Sequence, residues 1–342
     1  MLKHMASLRH SQRAMCPHYN ADGLRSCFLL SYQLLLTVTT LETGKGELRM
    51  GYEGRPTYTL MAVHAHPDDE SSGTGGLLCL AAEQGHTTVL VTCTNGDLGD
   101  VKDPRLRLNP REHPPDRQRL ADVRHAELHK AAAILGVTHL YALGYHDSGM
   151  DGWETNNAPH VFAQANVEDV AGQLAQLIRQ HRPDVLVTYD EQGGYGHPDH
   201  IMAHRVTMAA VAAAADAARL LDAGPAWQVR KVYYTAWARS EALRTLKLLH
   251  LLGRETSLRD PDFDPQQLGC PDALITTRVN IRPVLRKKWQ ALFAHRSQMH
   301  QDDFFWWFVR LTGPWLYRYE SFRCVTSPVP LPGSESDVFA GL

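Results

Sequence analysis

The feature that most constrains the fold is a mainly apolar run, residues 58–65, that ends in a cluster of histidine and acidic side chains. The sequence His66-Pro67-Asp68-Asp69-Glu70 follows it directly. The run predicts a buried strand, and Pro67 suits the first turn of a helix, where its fixed φ and missing N–H are tolerated. His66 and Asp69 lie three residues apart and can therefore face one point, as metal ligands do.

A second motif of the same kind lies about one domain's length further along the chain. His197-Pro198-Asp199-His200 follows another apolar run at residues 184–189. In parallel α/β sheets, ligands bind outside the carboxyl ends of the strands, where the strand order switches. We therefore expect the two His-Pro-Asp turns to meet at one edge of a sheet.

Apolar runs alternate with longer amphipathic segments from Tyr58 onward, which predicts an α/β fold: a Rossmann-like, mostly parallel sheet flanked by helices, with an α-rich C-terminal part. Strands are predicted at 58–64, 87–94, 138–143, 184–189 and 229–237. Helices are predicted at 71–84, 118–135, 167–181, 200–221, 240–252 and 283–296. From Thr312 onward, Pro and Gly breakers predict little regular structure.

The 342 residues are divided into three predicted parts. Residues 1–49 are irregular and predicted to be an N-terminal extension, disordered or upstream of a native start at Met50. Residues 50–300 form the predicted catalytic domain, and residues 301–342 an aromatic-rich segment and tail. The aromatic run at 304–308 is interpreted as core cover or a subunit contact. The Pro- and Arg-rich loop from Asp100 to Arg117 is predicted to be a lid or substrate wall.

Composition narrows the class of partner. The formal charge is −2 and no long basic stripe is present, which argues against nucleic acid. Cys27–Leu36 is strongly apolar but too short to span a bilayer, so no membrane association is expected. The six cysteines include no C-x-x-C pair, which is typical neither of a zinc ribbon nor of a disulfide framework and favours the cytoplasm. A homo-oligomer is possible.

Imidazole and carboxylate groups without thiolates suit zinc, and a catalytic zinc keeps three protein ligands and one open position. Four residues are candidate ligands: His66, Asp69, His197 and His200. The residues alone leave open which of the four is spared. Asp68 lies beside two ligands and suits a general base. The alternative is that these aspartates are helix N-caps, which explains one Asp but not the whole set.

The motifs Ala65-His66-Pro67-Asp68-Asp69-Glu70 and Gly196-His197-Pro198-Asp199-His200 resemble those of the LmbE-like, or PIG-L, zinc deacetylases. These enzymes remove acyl groups from N-acylated glucosamines. The resemblance spans about 58–300 and is greatest to the mycothiol branch. That branch contains the deacetylase of N-acetylglucosaminyl-inositol and the mycothiol S-conjugate amidase.

The resemblance implies a role for each matching residue. Zn²⁺ would be held by His66, Asp69 and His200, with Asp68 as the base. His197 would be protonated and would stabilise the tetrahedral intermediate and the leaving amine, with Asp199 tuning it. Tyr195 would hydrogen-bond the scissile carbonyl or its oxyanion.

Two further positions of the family are expected to bind sugar hydroxyls. They match Arg124 and Asp147 in this chain. On the residues alone, Arg124 could equally make a surface salt bridge, and Asp147 could be an ordinary turn residue. His295 and Gln298 match a His-x-x-Gln stretch of the same branch, without a defined role.

The sequence thus predicts a zinc-dependent hydrolase that cleaves the N-acyl amide of a small N-acetylglucosamine-containing substrate. The alternatives are an amidase of thiol conjugates and a sugar-binding relative without activity. A nucleotide-binding oxidoreductase is disfavoured, because the G-x-G-x-x-G spacing is absent.

Overall fold

The first strand of the sheet is buried on both faces, which explains its unbroken apolar sequence. Leu60, Met61 and Ala62 are all fully buried. In the computed structural model, which describes residues 56–254, 256–259, 263–299, 304–331 and 333–342, this strand is the third of seven in one sheet. Residues 1–55 fall outside the described part, and with them the predictions for the N-terminal extension and Met50.

The seven strands are β1 (Thr59–His64), β2 (Thr87–Thr94), β3 (His139–Tyr145), β4 (Val185–Thr188), β5 (Lys231–Ala236), β6 (Thr277–Asn280) and β7 (Tyr319–Thr326). The longer helices are α1 (Gly75–Glu83), α2 (Pro115–Leu135), α3 (Val167–His181), α4 (Pro198–Ala215), α5 (Arg239–Leu251), α6 (Leu285–Leu292) and α7 (Phe304–Leu316). A wide helical turn, Glu70–Thr74, precedes α1.

Successive strand residues point to opposite faces, and each face has its own apolar core. Leu60 and Ala62 pack with side chains of α1, α2 and α6 on one face. Met61 and Val63 pack with side chains of α3 and α4 on the other. The result is a three-layer α/β/α arrangement, as the sequence predicts.

The strand order is β3-β2-β1-β4-β5-β7-β6, and the first five strands of that order are parallel. The order reverses between β1 and β4, because the chain moves outward from β1 to β3 and then crosses to the other side of β1. Each of the two His-Pro-Asp motifs follows one of these two strands. The switch point, where such sheets bind ligands, therefore lies between the motifs.

The prediction that little regular structure follows Thr312 was wrong. Strand β7 runs antiparallel to β5 and β6, and β6 was also not predicted. Both strands are rich in polar residues, which obscured the apolar pattern. Some of these polar side chains are buried with partners: Glu320 on β7 accepts hydrogen bonds from the backbone N–H groups of Gly76 and Leu77, at the start of α1.

The predicted segment boundary near residue 300 falls within one compact unit, which runs from Pro56 to Leu342. The side chains of residues 304–309 are not described, so the interpretation of the aromatic run lies outside the structure. The described cysteines are all unpaired, and Cys79 and Cys93 are buried, as predicted. Within the described ranges, no helix has both the length and the apolar character needed to cross a membrane.

A buried ion pair holds the C-terminal segment to the sheet. Lys231 Nζ lies 2.7 Å from Glu335 Oε1, while the hydroxyls of Tyr233 and Thr277 each donate to Glu335 Oε2 at 2.9 Å. Replacing Glu335 with glutamine leaves the Lys231 ammonium buried without its counter-charge. We expect the free energy of unfolding, measured by urea denaturation, to fall by about 3 kcal/mol.

The matched control is Glu83→Gln, which removes an exposed pair whose Lys287 Nζ–Glu83 Oε1 distance is also 2.7 Å. An exposed pair contributes less than about 1 kcal/mol. Equal losses in the two variants would contradict the structural role of the buried pair.

Candidate metal centre and active site

The site lies at the carboxyl ends of β1 and β4. The chain leaves β1 at His64 and turns sharply through residues 65–69 into the helical turn that precedes α1. It leaves β4 at Thr188, and Gly193 and Gly196, both with positive φ, shape the turn that leads to Pro198 at the start of α4. These two loops bring together side chains more than 120 positions apart.

Three ligand atoms form a nearly equilateral triangle. His66 Nδ1 and His200 Nε2 each lie 3.3 Å from Asp69 Oδ2, and the two nitrogens lie 3.3 Å from each other. Tetrahedral zinc with bonds of about 2.0–2.1 Å holds its ligand atoms about 3.3 Å apart. The three atoms therefore fit a zinc ion at their centre, and the donor set of two imidazoles and one carboxylate suits that metal.

A second grouping includes the other face of His66. Ligand atoms of His66, Asp147, His197 and Asp199 also lie within 4.8 Å of one another, as do those of His66, His197 and His200. This cluster of histidines and aspartates could hold a metal ion. In the larger grouping, however, Asp199 already accepts hydrogen bonds from the backbone N–H of Ser148 and from its hydroxyl, so that carboxylate is engaged.

Tyr189 supports the triangle, and the sequence analysis assigned it no role. Its hydroxyl donates to Asp69 Oδ2 at 2.8 Å and accepts the Ala65 N–H at 2.9 Å. Its ring stacks on His200 with centroids 4.2 Å apart. One side chain thus orients two of the three candidate ligands. The sequence signal that could have indicated this role is the position of Tyr189, directly after a buried strand and before the second motif.

The carboxylate of Asp199 contacts a residue other than the expected one. The resemblance paired it with His197, but its carboxylate lies 3.1 Å from His66 Nε2. A carboxylate on the far nitrogen of a metal-binding histidine fixes the ring and its tautomer. The reason is geometric: Asp199 lies in the first turn of α4, and its side chain points toward the loop after β3, where Ser148 holds it.

His197 packs against two candidate ligands. Its ring centroid lies 4.6 Å from that of His66 and 5.1 Å from that of His200. The Asp199 N–H donates to its Nδ1 at 3.1 Å, so a neutral ring carries its proton on Nε2. Burial, together with the neighbouring His66 and His200, lowers the pKa of His197 to about 2. The neutral ring is therefore favoured in this structure, whereas the resemblance implied a protonated one.

Asp68 lies next to the triangle in an unusual backbone conformation, with φ of 123°. Its carboxylate Oδ2 is 3.2 Å from Arg124 Nη2. Burial raises the pKa of Asp68 to about 6, although the Arg124 guanidinium opposes the shift. A carboxylate with a pKa near neutrality is suited to accept and return a proton.

Arg124, which the resemblance expected to bind sugar hydroxyls, lies beside Asp68. It is 3% exposed, and it donates to the carbonyl oxygens of Pro67 and Gly96 as well as facing Asp68. Because Arg124 lies on an inward-facing turn of α2, its guanidinium reaches Asp68.

The other predicted residues lie around the triangle. Asp147 is buried with Oδ1 3.7 Å from His66 Nε2, and this oxygen accepts the Gly149 N–H. Tyr195 is 39% exposed, with its ring 4.9 Å from that of His200, and so reaches both the site and solvent. The structure thus brings every predicted site residue to one edge of the sheet.

Fold and site together define an α/β protein with a histidine–carboxylate cluster that could hold a metal ion at the switch point of its sheet. Residues 61–211 match the family model described as PIG-L, GlcNAc-PI de-N-acetylase. The chain belongs to this family of amide hydrolases.

Two curated relatives illustrate the similarity. The 1D-myo-inositol 2-acetamido-2-deoxy-α-D-glucopyranoside deacetylase of Geodermatophilus obscurus is 39% identical over 84% of this chain and 99% of its own length. The protein of the same name from Thermobispora bispora is 42% identical over 70% of this chain and 79% of its own length.

Solved structures share the fold at lower identity. The N,N'-diacetylchitobiose deacetylase of Pyrococcus horikoshii has a TM-score of 0.55 at 19% identity, covering 88% of this chain and 96% of that one. GalB of Pseudomonas putida, a 4-carboxy-2-hydroxymuconate hydratase, has a TM-score of 0.52 at 18% identity. The match covers 80% of this chain and 98% of that one. A hydratase and a deacetylase thus share this fold, so the reaction must be argued from the site.

Proposed function

We propose that this protein is a zinc-dependent deacetylase that hydrolyses the N-acetyl amide of 1D-myo-inositol 2-acetamido-2-deoxy-α-D-glucopyranoside or a closely related glucosamine glycoside. The observation that carries the proposal is the triangle of His66, Asp69 and His200 ligand atoms, 3.3 Å on each side, with Asp68 beside it. The choice of substrate rests on relatives about 39% identical along most of the chain.

When bound in the triangle, zinc supplies Lewis acidity that polarises a carbonyl and makes a water molecule more acidic. The other roles belong to side chains of the protein. Asp68 accepts a proton from the attacking water and returns it to the nitrogen as the C–N bond breaks, which releases acetate and a free amine. The raised pKa of Asp68 suits both directions of transfer.

His197 and Tyr195 act on the developing oxyanion. A neutral His197 has its N–H at Nε2, because Nδ1 accepts a backbone hydrogen bond, and it donates from that atom to the oxyanion. The Tyr195 hydroxyl is a second donor. Asp199 acts on the metal side by orienting His66, and Asp147 and Arg124 line the site.

The experiment is a substrate panel with the purified chain loaded with one equivalent of zinc. Release of free amine is measured for the inositol glycoside, free N-acetylglucosamine, N,N'-diacetylchitobiose and a thiol conjugate of the deacetylated glycoside. We expect the highest kcat/KM for the inositol glycoside.

Two results would contradict the proposal. Cleavage of the thiol conjugate alone would indicate an amidase. Stoichiometric zinc without release of amine from any compound would indicate a sugar-binding relative.

A further inference from the structure

The peptide unit between Pro67 and Asp68 is held at both of its polar atoms. Its carbonyl oxygen, on Pro67, accepts a hydrogen bond from Arg124 Nη2. Its N–H, on Asp68, donates to Glu70 Oε2 at 2.9 Å. The next carbonyl, Asp68 O, accepts the N–H groups of Ser71 and Ser72, both at 3.1 Å. The peptide planes on either side of the Asp68 Cα are therefore fixed independently.

This fixation has a conformational consequence. The φ of Asp68 is 123°, a region that residues with a Cβ rarely occupy. Such a conformation persists only where the surroundings impose it, and it clusters at functional sites. The carboxylate of Asp68 therefore points where it does because its neighbours hold the backbone.

Glu70, which accepts the Asp68 N–H, is itself held by a residue from a distant part of the chain, His295. Its Oε1 accepts from the Ser71 hydroxyl at 2.6 Å and from His295 Nε2 at 2.8 Å. Glu70 and His295 are both fully buried. With Ser71 as its only other side-chain donor among the described residues, Glu70 relies on His295 to keep its second oxygen aimed at the Asp68 N–H.

The segment that carries His295 is anchored by Ser297, two residues further along the chain. The Ser297 N–H and hydroxyl donate to the two carboxylate oxygens of Glu127, at 2.7 and 2.6 Å. Glu127 lies on α2, less than one turn from Arg124, the residue that holds Pro67. One helix thus fixes both sides of the Pro67–Asp68 peptide, directly through Arg124 and indirectly through the segment 295–297.

We propose that the Glu70–His295 pair acts as a positioning pair that holds Asp68 in its reactive orientation. The inference rests on the proposed role of Asp68 as the base. His295 lies outside residues 61–211, the part that matches the family model, so the C-terminal part of the chain completes the active site. Neither residue touches the reacting atoms in this account; both act through the Asp68 backbone.

The test compares His295→Leu with His295→Gln. Leucine fills a similar volume but cannot donate, whereas the glutamine amide can donate to Glu70. In His295→Leu we expect kcat for amine release to fall about 100-fold, the typical cost of a misplaced catalytic group, with KM and zinc stoichiometry unchanged. His295→Gln should recover most of that loss.

Glu335→Gln serves as the control for stability, because it also breaks a buried carboxylate pair but contacts none of these residues. It should lower Tm while leaving kcat at the wild-type value. An unchanged kcat in His295→Leu would overturn the proposal. Equal losses of kcat in the leucine and glutamine variants would also overturn it. So would a loss of kcat in Glu335→Gln as large as that in His295→Leu at a similar fall in Tm.

A crystal structure of His295→Leu separates this inference from the proposed function. We expect the φ of Asp68 to leave the positive region, and its retention near 123° would overturn the positioning role even if the wild-type chain proved inactive on every substrate tested. Should His295→Leu fail to fold, Glu70→Gln tests the same contact, with the same kcat, KM and φ measurements. Absence of wild-type activity would instead count against the proposed function.

Discussion

Replacing Asp68 with asparagine is expected to lower kcat for amine release by about 10²- to 10⁴-fold, the usual contribution of a general base. Asparagine keeps the size of the side chain and a hydrogen-bonding oxygen for Arg124, but its amide cannot take a proton from water. Zinc stoichiometry should stay at one, because Asp68 is not part of the 3.3 Å triangle. The measurements are steady-state kinetics on the inositol glycoside and metal analysis of the same sample.

Asp122→Asn is the matched control, since Asp122 is an exposed carboxylate on α2 that bonds only Gln118 among the side-chain contacts described. It should have wild-type kinetics. Retained turnover in Asp68→Asn would remove Asp68 from the mechanism, and loss of zinc in that variant would make it a ligand rather than a base.

Replacing His200 with alanine should abolish zinc binding and activity together. Even the loss of a group that only supports a metal ligand costs about 10- to 100-fold in affinity. Loss of a ligand in the triangle should therefore weaken zinc affinity by more than about 100-fold. Competition with a chromophoric chelator measures the affinity, and amine release measures the activity.

His129→Ala, on the exposed face of α2, is the control for nonspecific zinc binding by surface histidines and should change neither quantity. If His200→Ala kept wild-type zinc affinity, His200 would not be a ligand. The grouping around His66, Asp147 and Asp199 would then be the better candidate for the metal.

Where local pattern and tertiary environment agree, the sequence predicted the fold closely. Strand Thr87–Thr94 and helix Val167–His181 were predicted at the residues where they occur. The strand is buried almost throughout and consists of threonine, valine, leucine and cysteine, of which the β-branched residues favour strands. The helix begins at the cap Asn166, whose side chain accepts the N–H groups of Glu168 and Asp169.

Strands β6 and β7 could not be predicted in the same way, because they carry buried polar residues, some of which are stabilised by distant partners. Glu320 is buried, for example, yet it pairs with Lys288 at 2.6 Å and caps α1. Only the three-dimensional arrangement supplies those partners. A prediction that relies on the apolar pattern therefore misses the strands at this edge of the sheet.

The same distinction applies to the site. The two motifs indicated the candidate ligands, because their spacing within each turn is local. The partners of Asp199 and Arg124 were not apparent, since each depends on which element the side chain faces. The sequence assigned no role to Tyr189 or Ser148, and their roles follow only from contacts with Asp69, His200 and Asp199.

The most direct test of the account is a crystal structure of the zinc-loaded protein with anomalous data on both sides of the zinc absorption edge. We predict one anomalous peak within about 2.0–2.2 Å of His66 Nδ1, Asp69 Oδ2 and His200 Nε2. A peak instead at His66 Nε2, among Asp147, His197 and Asp199, would contradict it.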